Sequence, residues 1–131
     1  MKAFIAFFLL VAAGFGCSLA ADRPTSADVN RAVGISRLAE LRGFTVDRVE
    51  YSARDRLDRY AVGVWGHGLD RDRDVNTFVV FIFNKEGQPP AWDGVLTHIG
   101  QVTELARGAD RKAFYNSTLK NWEKARQEMK K

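Results

Sequence analysis

The chain has 131 residues, of which 46% are hydrophobic and 27% are charged. Its 20 Lys and Arg residues exceed its 16 Asp and Glu residues by four, and this mild excess is spread along the chain. A nucleic-acid-binding protein usually carries a basic block or stripe, so we expect no nucleic-acid partner.

The N-terminal segment is typical of a secretory signal peptide. An apolar run from residue 3 to about residue 15 follows Lys2, and the small residues Ser18 and Ala20 place cleavage after Ala20 or one residue later. The run is shorter than the roughly 20 residues that span a bilayer, so we expect no transmembrane segment in the mature chain. Residues 1–20 are thus predicted as a signal peptide and 21–131 as a single exported domain, periplasmic or secreted.

Cys17 is the one cysteine of the chain, and it allows an alternative N-terminus. In bacterial lipoproteins a cysteine becomes the lipid-carrying first residue, and Gly16 suits the position before it. Phe15 and Gly14 stand where a small residue and a leucine are usual, which favours removal of Cys17 with the signal peptide. The mature chain then has no cysteine, and its stability comes from packing.

The first predicted element of the mature chain is a helix. Thr25 can cap the start of this helix, and Asp28, three residues later, can complete a reciprocal capping box with it. Apolar residues follow at mostly helical spacing: Val29, Ala32, Val33, Ile35, Leu38 and Ala39. We expect the helix to end at 42–44, with Gly43 in the left-handed conformation that closes helices.

Three strands are predicted next, as an antiparallel meander. Residues 44–53 alternate with a slip near 47–48, which predicts an edge strand with a bulge. Residues 60–67 alternate between two faces: Tyr60, Val62 and Val64, then Ala61, Gly63 and Trp65. Residues 75–83 are apolar on both faces, as in a central strand that is covered on both sides.

Two C-terminal helices are predicted after the turn at 84–87. Apolar residues within 95–106 share one helical face, although Gly94 and Gly100 weaken a helix there. A fourth strand at about 95–106, before a single C-terminal helix, is the alternative. The terminal helix carries a stripe of Phe114, Thr118, Trp122, Ala125 and Met129. The predicted fold class is therefore α+β.

The segment "GHGLDRDRDVN", residues 66–76, places aspartates at alternate positions: Asp70, Asp72 and Asp74. A calcium loop of the EF-hand type would need glycine at Val75 and an acid at Phe81, so a charged hairpin turn is the better interpretation. A metal site would have to join His67 to His98, and nothing in their spacing indicates one. We expect no metal and no cofactor.

Our tentative binding residues are His67, Arg71, Arg73 and Trp92. The first three belong to the predicted hairpin, and Trp92 follows Pro89 and Pro90 in a predicted loop, where we expect it to be partly exposed. Loops and hairpin turns on a rigid sheet are common places for binding residues.

No local pattern indicates an enzyme. The chain lacks a G-x-S-x-G nucleophile motif and the glycine patterns of nucleotide-binding loops. Carboxylate pairs assemble in space rather than in sequence, so Glu50 with Asp58 or Asp70 stays possible. We expect a non-enzymatic exported domain that binds a protein or envelope component. The alternative is a small periplasmic hydrolase with a carboxylate pair or a metal near His67.

One family resemblance covers about half of the chain. The order of a helix, "RGFTVDRVEY", a second strand and "FIFNKEGQ" is similar to small PepSY-type modules of exported bacterial proteins. The resemblance implies a helix followed by a short meander that ends in an Asx-x-x-Gly turn. The long charged hairpin and the terminal helices depart from this pattern, so no site residue is transferred and the oligomeric state stays open.

Overall fold

A computed structural model describes residues 23–86, 91–96 and 104–130. The elements are α1 (Ser26–Gly34), a 3-10 helix (Arg37–Glu40), β1 (Arg42–Tyr51), β2 (Tyr60–Asp70), β3 (Arg73–Glu86), β4 (Ala91–Leu96), β5 (Glu104–Arg107) and α2 (Arg111–Glu128). The predicted signal peptide, Cys17 and His98 lie outside the described residues. No helix in the described ranges is long and apolar enough to cross a membrane.

The strands form an antiparallel sheet in the order β1-β2-β3-β4, and β5 also pairs with β3. The first half of β3 pairs with β5, from Val75 opposite Arg107 onward, and its second half pairs with β4. Strand β3 is therefore central, as its apolar sequence predicts. The predicted α+β class with an antiparallel sheet is confirmed, and the described sheet is larger than the predicted meander.

Each face of the sheet carries one helix and its own core. The α1 face is covered by α1 and the 3-10 helix, and its buried residues are Val29, Ala32, Val33, Leu38, Tyr60, Val62, Val64, Val79, Phe81, Phe83 and Trp92. The α2 face is covered by α2, and its buried residues are Ala61, Trp65, Phe78, Val80, Phe114, Trp122 and Ala125. The alternation predicted for β2 is confirmed by this division.

The first helix is shorter than predicted. Its capping box of Thr25 and Asp28 is present, but α1 ends at Gly34. Ser36 then accepts a hydrogen bond from the Leu38 amide and starts the 3-10 helix, which keeps Leu38 buried. The expected helix end at 42–44 is therefore wrong. Gly43 does have a positive φ of 64°, but it lies within β1 at a shift of register against β2.

Strand β1 is the edge strand that the sequence predicts. Its pairing with β2 slips between Val46 and Arg48, close to the predicted bulge. The slip lets Val49 and Tyr51 pack against the α1 face, whereas Glu50 and Arg48 contact residues of α2.

The helix predicted at 95–106 is wrong at both described ends, because residues 95 and 96 belong to β4 and residues 104–106 belong to β5. Residues 97–103 lie outside the described part. The second edge of β3 has backbone groups that need partners, and this long-range demand overrides a helical pattern. Gly94 suits the strand, since a Cβ there would lie 2.5 Å from the Phe83 ring. The alternative prediction, with an added strand before a single C-terminal helix, is closer to the structure.

The terminal helix agrees with its predicted stripe. Asp110 caps α2 by accepting a hydrogen bond from the Ala113 amide at 3.0 Å. The buried residues of α2 are Phe114, Thr118, Trp122 and Ala125, and Met129 packs against the same core.

Candidate functional site

A two-residue turn joins β2 to β3 at Arg71 and Asp72. Both residues have a positive φ, of 52° and 66°. Positive φ at both central residues is what a tight type I′ hairpin turn requires, and Asn-Gly is the usual pair because other side chains are strained there. The segment with alternating acids is therefore a hairpin turn, as the sequence favours.

The three aspartates of this segment do not converge. Asp72 pairs with Arg42 of β1, and Asp74 pairs with Arg111 of α2 at 3.2 Å. Asp70 lies opposite Arg73 in the strand register. Within the described ranges no group of three or more His, Cys, Asp and Glu residues could hold a metal ion.

Three arginines meet beside the turn, and we name Arg71, Arg73 and Arg107 the arginine cluster. Together with Asp70 and Val75 they line a cavity of about 240 Å³. Arg107 comes from β5, where it pairs with Val75 of β3. All three arginines are exposed, and none forms an ion pair with another residue in the described part of the chain.

The arginine cluster has the chemistry of an anion site. Each guanidinium presents several N–H donors in a plane, which suits the oxygens of a carboxylate or a phosphate. Three like charges at one place repel one another, and a bound anion would relieve this repulsion. The sequence indicates Arg71 and Arg73 but not Arg107, because only the pairing of β5 with β3 brings Arg107 near the other two.

His67 lies apart from the arginine cluster. Its Nδ1 atom is 2.8 Å from Oδ2 of Asp47, which extends from β1 across the sheet. The acid partner of His67 is thus Asp47 of the edge strand.

Trp92 is buried and not exposed as predicted. Only 5% of its surface is accessible, and its ring packs edge-on against Tyr60 with centroids 5.5 Å apart. The Lys85 ammonium lies 5.3 Å from the ring, and the Trp92 carbonyl accepts a hydrogen bond from Arg31. Pairing of β4 with β3 causes this burial, so the ring is part of the α1-face core.

Glu50 is a half-buried carboxylate on the α2 face. Its Oε2 atom accepts hydrogen bonds from the Tyr115 hydroxyl at 2.5 Å and from Arg48 Nε at 2.6 Å, and its Oε1 atom accepts one from Trp122 Nε1 at 3.1 Å. This network ties the edge strand to α2.

The same network sets the pKa values of its two acids. Burial would raise the pKa of the Glu50 carboxyl, but the hydrogen bonds from Tyr115 and Arg48 and the charge of Arg48 outweigh it and leave the pKa below 4.5. The hydrogen bond that Tyr115 donates to Glu50, with burial and the carboxylate charge, raises the Tyr115 pKa above 10.0. Glu50 is therefore held as an anion.

The two acids that were possible partners of Glu50, Asp58 and Asp70, occupy different parts of the fold. Asp58 lies in the β1–β2 connection, where it pairs with Arg54. Glu50 stands opposite Gly63 on β2, and Asp70 lies seven residues further along that strand, or roughly 23 Å at about 3.3 Å per residue. Asp70 is therefore too far from Glu50 to share a reacting bond with it.

Comparisons with protein-family models, with curated proteins and with solved structures find no match. The resemblance to PepSY-type modules therefore has no further support, and no function is transferred from it.

Proposed function

We propose that this protein is an exported, non-enzymatic domain that binds a protein or envelope component through an anionic group of that partner. The arginine cluster at the end of the β2–β3 hairpin is the contact site. Export rests on the N-terminal signal pattern, and the absence of a nucleophile motif supports a binding role over catalysis.

The observation that carries this proposal is the convergence of Arg71, Arg73 and Arg107 around one cavity without ion-pair partners in the described ranges. Elsewhere in the described chain, arginines commonly pair with acids, as Arg59 does with Asp55 at 2.7 Å. Unpaired guanidinium groups stay available to carboxylate or phosphate oxygens. Arg71 has a strained positive φ in the turn. Strained residues of this kind are often found at functional sites, which supports a binding role for Arg71.

The test is direct binding of anionic probes to the purified protein. Inorganic pyrophosphate, a glutamate-rich peptide and phosphatidylglycerol vesicles present phosphate, carboxylate and lipid anions separately. The variant replaces Arg71, Arg73 and Arg107 by Gln. A matched control replaces three exposed lysines of the C-terminal helix region by Gln, with the same loss of charge: Lys120, Lys124 and Lys130.

We expect the parent protein to bind at least one probe, with Kd raised about tenfold or more in the arginine variant and less than about threefold in the lysine variant. The probe that binds identifies the class of partner. Equal weakening in both variants would reduce the effect to net charge and contradict the proposal, and so would failure of the parent protein to bind any of the three probes.

Export is tested on the native protein by mass spectrometry of its N-terminus. A chain that begins at residue 21 or 22 supports the signal peptide, and a lipidated Cys17 supports the lipoprotein alternative. A native cytosolic chain that begins at Met1 would contradict export.

A further inference from the structure

A second cavity lies on the α2 face, on the opposite side of the sheet from α1. It opens between the sheet and the first half of α2, and we name it the α2 cleft. Its volume is about 430 Å³, which falls within the range of about 300–1,000 Å³ that is typical of small-molecule sites. Its main lining residues are Arg48, Trp65, Arg111, Lys112, Phe114 and Tyr115.

The apolar walls of the α2 cleft are held rigidly. Trp65 Nε1 donates a hydrogen bond to the Thr118 hydroxyl at 2.7 Å, and the Trp65 ring stacks on Phe78 with centroids 4.6 Å apart. Tyr115 is fixed at its hydroxyl by Glu50 and lies 4.9 Å from the Trp65 ring. Aromatic walls that are fixed before binding lower the entropic cost of taking up a ligand.

The rim of the cleft is cationic. Three cations line it, Arg48, Arg111 and Lys112, against one carboxylate, Asp47. Arg48 and Arg111 already bind Glu50 and Asp74. Lys112 is exposed and has no ion pair within the described part of the chain, so its ammonium is free to meet a ligand.

The position of Lys112 does not favour the stability of the fold. Lys112 lies in the first turn of α2, where the helix dipole presents partial positive charge, and no acidic residue occupies this turn. Helix ends of this kind are stabilised by acids and weakened by cations. By contrast, the first turn of α1 contains Asp28. A basic first turn beside an aromatic cavity favours an anionic ligand.

The geometry points to a binding site in the α2 cleft for a small aromatic anion, with its ring against the half-buried Tyr115, above a floor of the buried Trp65 and Phe114, and its negative group at Lys112. The charge of the rim argues against a cation, and the volume limits the ligand to a small molecule. The site is separate from the arginine cluster and does not depend on the proposed function.

The test uses two fluorescent probes with the same ring system. Anilinonaphthalene sulfonate carries one negative charge, and N-phenylnaphthylamine carries none. Both are titrated against the parent protein, the variant Lys112→Glu and the control Lys124→Glu. Lys124 is exposed on the same helix, and at about 1.5 Å per residue it lies roughly 18 Å further along the axis.

We expect Lys112→Glu to raise the Kd of the sulfonate about tenfold and Lys124→Glu to change it less than about twofold. The Kd of the uncharged probe should be the same in all three proteins. Lys112→Glu should also raise Tm, because an acid suits the first turn of the helix. Weaker binding in a more stable protein cannot come from unfolding.

Nuclear magnetic resonance locates the site. Addition of the sulfonate should shift the indole N–H signal of Trp65 and the amide signals of residues 111–116. Shifts centred instead on Ile35 and Val95, which form an exposed apolar patch beside α1, would overturn the proposal. Equal Kd values in the two lysine variants, equal loss of both probes, or no saturable binding would overturn it as well.

Discussion

Two fully buried threonines allow the same substitution, Thr to Val, to be tested at two sites where we expect opposite changes in the free energy of unfolding. Thr118 and Thr77 are both 0% exposed. The Thr118 hydroxyl accepts a hydrogen bond from Trp65 Nε1 at 2.7 Å and lies 3.0 Å from the Phe114 carbonyl, to which it donates. The Thr77 hydroxyl has no hydrogen-bond partner among the described residues. Changing each residue to Val keeps the shape and removes the hydroxyl.

The size of each change in the free energy of unfolding depends on whether removal of the hydroxyl leaves another buried polar group without a hydrogen bond. Thr118→Val leaves the Trp65 N–H unpaired, and since Trp65 is only 2% exposed, we expect the free energy of unfolding to fall by roughly 1–3 kcal/mol. Thr77→Val removes a buried polar group that gains nothing in return, so we expect unfolding to cost about 1 kcal/mol more. Helix propensities of Thr and Val are close, and both favour strands, so backbone terms stay small.

The measurement is urea unfolding followed by tryptophan fluorescence, with the free energy obtained by linear extrapolation at an unchanged m value. The double variant should show the sum of the two changes, because the two threonines face opposite sides of the sheet. If Thr118→Val and Thr77→Val shift stability in the same direction, the reasoning from hydrogen bonds is refuted.

Three further predictions concern stability. Gly94→Ala places a Cβ 2.5 Å from the buried Phe83 ring, so we expect a loss of roughly 1–3 kcal/mol in the same urea assay; an unchanged midpoint would contradict the close approach. Asp72→Gly relieves a positive φ at the hairpin turn and should stabilise the protein by about 1 kcal/mol, read as a higher Tm; a lower Tm would contradict the strained turn. Because the pKa of Glu50 is below 4.5 in the folded protein, its stabilising contribution is complete above that value and is lost as pH falls through the lower folded pKa. Tyr115→Phe removes a donor to Glu50, so the stability of this variant should fall less between neutral pH and about pH 3 than that of the parent protein; an identical pH profile would contradict the role of the Tyr115 hydroxyl.

Much of the fold was predictable in segments where the local sequence pattern agrees with the packing of the folded chain. The capping box of Thr25 and Asp28 depends on residues three apart, and the stripe on α2 repeats with the helix period. Strand β3 is apolar on both faces because each face meets a helix layer. In these elements the local signal and the final packing select the same structure.

Part of the candidate sites was predictable in the same way. Arg71 and Arg73 are near each other because Arg71 belongs to the two-residue turn and Arg73 is the first residue after it. Arg107 is the last residue of β5, and the rest of that strand lies in the segment 95–106 for which a helix was predicted. Only the open edge of β3 explains why Arg107 lies next to the other two.

The sequence by itself determined the alternation of the strands, the N-terminal cap of α1, the apolar stripe of α2 and the position of the charged turn. These features depend on residues within a few positions of one another. The tertiary structure decided that Trp92 is buried, that Asp47 is the partner of His67, and that aromatic side chains of α2 form a cleft with Trp65. Each of these features depends on hydrogen bonding and packing between strands and helices that are distant in the chain. A local sequence pattern does not specify which distant elements pair with one another.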